Sequence, residues 1–590
     1  MHRILHALAT ERFATLEAAG AAEEWLLRPF RRRAAGKALR AADTVTKLTD
    51  LAHLARVARL RATPGGAEVD FDDEPAVVAA YASLPARPPA GLPLQTLGLF
   101  FGLAIAVATG FGVRAFTRPF AADGSGVGRA LAQNFGGQVA DVANGERPSA
   151  QAAVRRVFPL HELPAPAEGP MLELFAAQMA AADDAARMPE VYAKTRDVNR
   201  AFAKLGQPFY LDARHYQRAP LLYAFYKERE DEGRAPGFAG ERVVFLWRLD
   251  HLNISKAALG YTHREADAAL VLYDQVEELL IQDVLPALAE GEKVDLVDAP
   301  SRDPKKAWQD DIENRAARMV RESFAGAADH DKLVALGTLL ARRRAIVKKW
   351  QGDLALQGKR LREPTRLLPE ADYVKELWLM VPTNSRREWE EVHEALASKA
   401  VLATFESLRD RFADNVARHE LQHRFDGQKT PDCNAVSPCA ALDIPAAVKH
   451  RVGPRDETPV TLGSMPGRVR NETSAYLAEM ARPGGMPKMT ILGLLRTVLD
   501  REAWGDVYCN TTLVLLDVLG AQLGLADESM PLVIQGAVQR ASVASLVTLL
   551  FARSDDDLRK AAAEKWRELY GYEVPSATMK LVSQEKRWRH

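Results

Sequence analysis

The sequence predicts an α+β protein dominated by helix, and three observations carry that prediction. From about residue 265 onward, most segments repeat their apolar residues at helical spacing. Three short runs between 208 and 249 are instead rich in Tyr, Phe, Val and Trp, with Gly and Pro between them. The composition is that of folded chains: of 590 residues, 47% are hydrophobic and 26% charged. That length exceeds one ordinary core, so several folded units are expected. The 78 Lys+Arg balance 78 Asp+Glu, leaving no chain-wide field to attract phosphate, and no nucleic-acid partner is expected. Three cysteines cannot staple a chain of this size, so burial of apolar area has to hold it.

Residues 1–92 read as an amphipathic helical region. Charges at Arg3, Glu11, Arg12 and Glu17 leave no apolar core for a secretory signal. Arg31-Arg32-Arg33 follow Trp25, Leu26, Leu27 and Phe30, which suits a solvated helix end, or else contact with an anionic membrane surface. No charge then occurs between Arg87 and Arg114. Residues 93–113 are therefore expected to form a single transmembrane helix in contact with lipid, since about 20 apolar residues cross the hydrocarbon. Arg114, Arg118 and Arg129 on one side compete with 13 Lys+Arg in residues 1–92 on the other. The reading adopted is a single-pass membrane protein with its amino terminus inside and its catalytic region extracytoplasmic, the reverse being the alternative.

Residues 114–150, with six glycines, read as a juxtamembrane linker carrying one short helix at most. Residues 151–385 are expected as an α+β region: a helix near 151–190, then a small antiparallel sheet from 208–213, 221–226 and 243–249. Helices are expected at 265–290, 305–325 and 330–350. Residues 386–590 form a helical catalytic region, with helices at 386–426, 488–501, 510–523, 530–553 and 556–571.

The chemistry lies at His419-Glu420-Leu421-Gln422-His423. Two histidines four apart on a helix project from one face, and neutral imidazole is a favoured zinc ligand. Glu420 on the flank of the same turn reaches a water at the metal without being a ligand. Phe405, Leu408, Phe412 and Val416 repeat at helical spacing before the pair, so a helix is expected here. A catalytic zinc takes three protein ligands. No third His follows at the elongated spacing, where Asp426 and Lys429 stand, which leaves His450, Glu472 and Glu479. Glu472, in the opening of a second helix, is the best placed.

On these residues the sequence resembles the gluzincin (thermolysin-like) class of zinc metallopeptidases, whose metal is held by two His and a downstream Glu, often in an Asn-Glu pair such as Asn471-Glu472. The resemblance spans about 420–480. It implies a zincin-like catalytic region with one Zn2+ ion held by His419, His423 and Glu472, Glu420 as general base, and a peptide or protein substrate. Two positions depart from that pattern. Arg424 follows the second His, and Tyr476 stands where an Asp normally orients an imidazole. Tyr476 is a candidate oxyanion donor, with packing as its other reading. Cys433 and Cys439 flank a Pro-containing loop and suit either a disulfide or free thiols, while Cys509 reads as a buried thiol. The competing functions are a catalytically inactive interaction protein and a zinc hydrolase of non-peptide amides or esters.

Overall fold

In the computed structural model the described residues are 58–63, 66–71 and, with interruptions, 126–585; the longest interruptions are 250–258, 297–306 and 431–441. The chain divides into two compact units, Met1–Gly112 and Val113–His590. What is described of the first is an antiparallel hairpin of β1 (Ala58–Thr63) and β2 (Gly66–Phe71). At 58–63 and 66–71 strands stand where helix was expected, and the rest of the amphipathic helical region expected over 1–92 lies outside the described residues. Arg59 and Arg61 alternate with Leu60 and Ala62, a two-residue period that suits a strand. The transmembrane helix expected at 93–113 lies outside the described residues, and no described helix is long and apolar enough to cross a membrane. The single-pass anchor and the extracytoplasmic placement that depended on it are set aside.

The second unit opens with α1 (Gly126–Ala130), which runs through a π-helical turn (Leu131–Phe135) into α2 (Gly136–Ala143). Its glycines suggested a linker, but Val127, Leu131, Phe135 and Val139 recur every four residues and are buried. Next come α3 (Ala150–Val157), α4 (Ala165–Asp183), α5 (Met188–Lys204) and the strands β3 (Phe209–Tyr216), β4 (Ala219–Arg234), β5 (Glu241–Arg248), β6 (Gly260–Tyr261) and β7 (Ala269–Leu272). Helices α6 (Tyr273–Leu279), α7 (Ala307–Phe324), α8 (His330–Ala355), α9 (Ala371–Met380) and α10 (Arg387–Leu396) lead to the 31-residue α11 (Lys399–Lys429). After it come α12 (Ala446–Val452), α13 (Met465–Ala481), α14 (Pro487–Leu499), α15 (Val507–Gln522), the hairpin β8 (Val533–Ile534) and β9 (Ala537–Val538), α16 (Arg540–Phe551), α17 (Asp555–Tyr570) and β10 (Thr578–Gln584). The hairpin interrupts the helix expected at 530–553, because Gln535 and Gly536 both adopt positive φ, the turn that two-residue hairpins favour.

The sheet is mixed and six-stranded, not small and antiparallel, which corrects the expected fold class. β5 pairs antiparallel with β4 but parallel with β7, and the two-residue β6 closes the far edge against β7. Along its other edge the 16-residue β4 takes β3 on its first half and the distant β10 on its second. Val243, Val244, Phe245, Leu246 and Trp247 are all buried, as a strand covered on both faces requires. One face, with Phe209, Leu211, Phe245, Trp247 and Val271, joins the main helical core.

The other face carries Tyr210, Tyr223, Phe225, Val244, Leu246, Tyr261, Leu270 and Leu272 as a separate core. The sheet curls over that core until β3 meets β6. Tyr261 donates its hydroxyl to Asp212 at 2.9 Å, His263 Nε2 lies 3.1 Å from the same carboxylate, and Tyr210 donates to Asp267. A bulge at Glu228 shifts the β4–β5 register and turns that carboxylate towards Arg409 of α11, 3.4 Å away.

Burial alone would lower the pKa of His263, but Asp212 and Glu265 outweigh it and raise it from 6.5 to about 9. A folded-state pKa above the unfolded one contributes stability fully below about pH 6.5, and that contribution disappears as pH rises through about 9. The expected outcome is a loss of roughly 1–3 kcal/mol between about pH 6 and pH 9.5 that His263→Gln removes. Urea unfolding of both proteins at the two pH values checks it, and an identical pH dependence in the two would contradict it.

Candidate metal centre

Helix α11 enters the core at its carboxyl half, and every residue from Asn415 to Gln422 is buried. Five of those eight are polar: Asn415, Arg418, His419, Glu420 and Gln422. Burying such groups costs several kcal/mol each unless they are paired, so their partners define what the region is for. Arg418 donates to Gln422 Oε1 at 2.9 Å and to the carbonyl of Pro575 at 3.1 Å. Gln422 donates to Asp426 Oδ1 at 2.8 Å, and Asp426 Oδ2 lies 3.3 Å from Arg470 of α13. This ladder, on the face beside the histidines, locks α11 to α13.

Helix α13 starts at Ser464, whose hydroxyl caps Gly467 N–H at 3.4 Å. Gly467 is required there because a Cβ would fall 2.1 Å from the carbonyl oxygen of Thr461. Glu472, Tyr476 and Glu479 follow at helical spacing and share the face turned to α11.

The structure brings His419, His423 and Glu472 together. The two Nε2 atoms are 3.2 Å apart, and the Glu472 oxygens lie 3.5 Å from His419 Nε2 and 3.8 Å from His423 Nε2. One donor atom from each residue fits within 4.8 Å of the others. A tetrahedral ion bound at about 2.0–2.2 Å sets its donors about 3.3 Å apart, so the three residues suit a zinc-sized cation with little rearrangement. Glu479, the other carboxylate weighed as a ligand, instead approaches the opposite nitrogen, His419 Nδ1, at 3.3 Å. Its second oxygen accepts from Thr490 Oγ1 at 2.6 Å. Glu479 is thus placed where a carboxylate could orient an imidazole, a position the sequence left unfilled although the seven-residue step from Glu472 marks the shared face. His450 lies exposed on α12, away from this group, and Cys433 and Cys439 fall outside the described residues. Cys509 is a free, buried thiol.

The buried imidazoles and carboxylates shift one another. Burial would depress His419, yet Glu472 and Glu479 overcome it and lift it to about 10, so a proton there answers both carboxylates. His423 is held below the usual range by burial. For Glu472, burial pushes upward but His423 and His419 prevail, and it stays below the ordinary carboxylate value. Glu420 differs from all of these. It makes no hydrogen bond or ion pair with a described residue, and burial raises it to about 8.

Strand β6 lies directly over it: a Cβ on Gly260 would fall 3.1 Å from Glu420 Cγ and 2.6 Å from Val416 Cγ1. Tyr476 stacks on His419 with ring centroids 4.3 Å apart. Tyr508, on the first turn of α15 and 44% exposed, sits where Glu472 and then burial raise its phenol to about 12. Gly260 and Tyr508 were not singled out in the sequence, since neither belongs to a local motif. No family model, curated protein or solved structure matches the chain, so the site is read from its own chemistry.

Replacing Asp426 by Ala strands the buried Arg470 guanidinium. Losing one partner of such a pair costs about 3–5 kcal/mol, and the variant is expected to unfold at correspondingly lower denaturant. An unchanged unfolding midpoint would remove the ladder from the forces that hold α11 to α13.

Proposed function

We propose that this protein is a zinc-dependent hydrolase that cleaves peptide bonds, with His419, His423 and Glu472 holding the metal and Glu420 as general base. The observation that carries the reading is the 3.2 Å convergence of two imidazole nitrogens in front of a carboxylate. The ligand set resembles that of the gluzincin metallopeptidases. Bound zinc would supply Lewis-acid polarisation of a carbonyl and an acidified water.

The chain's own residues do the rest. Glu420, desolvated and without a hydrogen-bond partner among the described residues, is suited to take a proton from water and pass it to the leaving amine. Tyr476 and Tyr508 keep their phenolic protons because burial and the neighbouring carboxylates raise both pKa values. They are therefore donors available to a developing oxyanion. Glu479 holds the His419 ring through Nδ1, and the tilted Tyr476 ring packs against it.

Metal analysis after zinc loading and dialysis is expected to find one equivalent in the wild type and in Glu420→Gln, and none in His423→Ala. Peptide hydrolysis by Glu420→Gln is expected to fall by about 10²–10⁴-fold. Zinc-free wild type after loading would end the reading, and full turnover by Glu420→Gln would end the assignment of the base. Glu479→Gln is expected to keep the metal but weaken its affinity about 10–100-fold, measured by competition with a chromophoric chelator. An unaltered affinity would reduce Glu479 to a packing role.

A further inference from the structure

Two guanidinium groups come to the site from different elements, neither of them in a close ion pair with a described carboxylate. Arg468 lies four residues before Glu472 on α13, so it stands one turn along the same helical face, and it is exposed. Arg214 comes from β3, at the closure of the curled sheet, and its guanidinium lies 4.2 Å from the centroid of the Tyr261 ring. Tyr261 adjoins Gly260, which packs on Glu420. Neither arginine side chain makes a hydrogen bond or ion pair with a described residue.

For Arg214 that is unusual in its surroundings, because it is only half-exposed. Arg229, Arg242 and Arg248 on the neighbouring strands each meet a carboxylate, from Asp231, Glu230 and Asp274. Asp212, two residues before Arg214, is already taken by Tyr261 and His263. The phenol of Tyr508 lies within the electrostatic reach of both arginines and of Glu420 and Glu472. Arginine forks match the two oxygens of a carboxylate. Guanidinium groups left open beside a candidate reaction centre, one of them partly desolvated, mark where an anionic part of a ligand docks.

We propose that Arg214 and Arg468 form a clamp for a substrate carboxylate, so that the preferred peptides present either a free carboxyl terminus or an acidic side chain near the scissile bond. This deepens the hydrolase reading and rests on it for the identity of the ligand. The test uses the full-length, zinc-loaded Glu420→Gln protein, which prevents turnover, and three probes. These are an N-acetylated neutral tripeptide with a free carboxyl terminus, its carboxamide, and the carboxamide with glutamate at the last position.

Calorimetric titration is expected to show at least one carboxylate probe binding about tenfold or more tighter than the neutral amide. Which probe gains tells whether the clamp takes the terminal or the side-chain carboxylate. Arg214→Ala and Arg468→Ala should each erase the advantage while leaving the amide unaffected, and Arg→Lys at either position should keep part of it. Equal affinity for all three probes, or no binding of any, overturns the clamp whatever the variants do. Turnover of the same peptides by wild type is read separately. A carboxylate preference in binding without cleavage would refute the peptidase and leave the clamp standing.

Discussion

Everything around the site follows from a stretch of α11 that is buried on all sides while carrying ionisable groups. Dry helix interiors are normally apolar, and a residue such as Arg418, placed there, needs partners or the fold loses several kcal/mol. The neighbouring elements are arranged to supply them. Asn415 accepts from Arg482 at 3.1 Å, Arg418 and Gln422 join the ladder to Asp426 and Arg470, and His419 is held between Glu472 and Glu479. Glu420 alone among the five buried polar residues is left without one among the described residues. A purely structural helix would have no use for that exception, whereas a group that exchanges a proton with a transient partner must not be tied to a permanent one.

The sheet contributes position rather than ligands. Its curl brings β3 against β6, so that Asp212, Tyr261 and His263 form a polar seam beside α11. Gly260 lets β6 approach Val416 and Glu420 to a distance at which any Cβ would collide. Arg214 is carried to the same edge by its place two residues beyond Asp212 on β3. The concave apolar core of Tyr210, Tyr223, Phe225 and Leu246 keeps that seam rigid, since closely packed interiors transmit small displacements and do not absorb them.

What was legible in the sequence divides along the same line. Within a helix, spacing converts directly into space, so His419, His423 and the flanking Glu420 could be placed, and Glu472 followed from a second helical run. Helix α15 and helix α17 also fall close to their expected bounds at 510–523 and 556–571. The sheet could not be read in this way. β6 has two residues, the parallel pairing of β5 with β7 joins strands that are not consecutive in the sequence, and β10 joins β4 from more than 340 residues away. None of those pairings leaves a local periodicity. The glycines at 126–137 hid a buried helical stripe because small residues in a helix resemble a linker in composition. Arg214, Arg468, Glu479 and Tyr508 were not singled out with these placements, and of the four only Arg468 and Glu479 share a helical face with a residue already in the motif.

The dependence runs in both directions between α11 and α13. Glu472 and Glu479 reach His419 from its two nitrogens, so the orientation of that ring is set by α13, while His423 belongs to α11 alone. The donor set therefore exists only when the two helices are in register. That register is fixed within two turns of the site by Asp426 and Arg470, whose same guanidinium nitrogen also donates to Oδ1 of the neighbouring Asn471 at 2.9 Å. A cation bound by His419, His423 and Glu472 would act on the folded form and not on the unfolded chain. By mass action its binding energy adds to the stability of the α11–α13 pair. Two carboxylates facing one imidazole repel each other when nothing positive lies between them. A proton on His419 supplies that charge in the absence of metal, and the site thus meets the same electrostatic demand by either means.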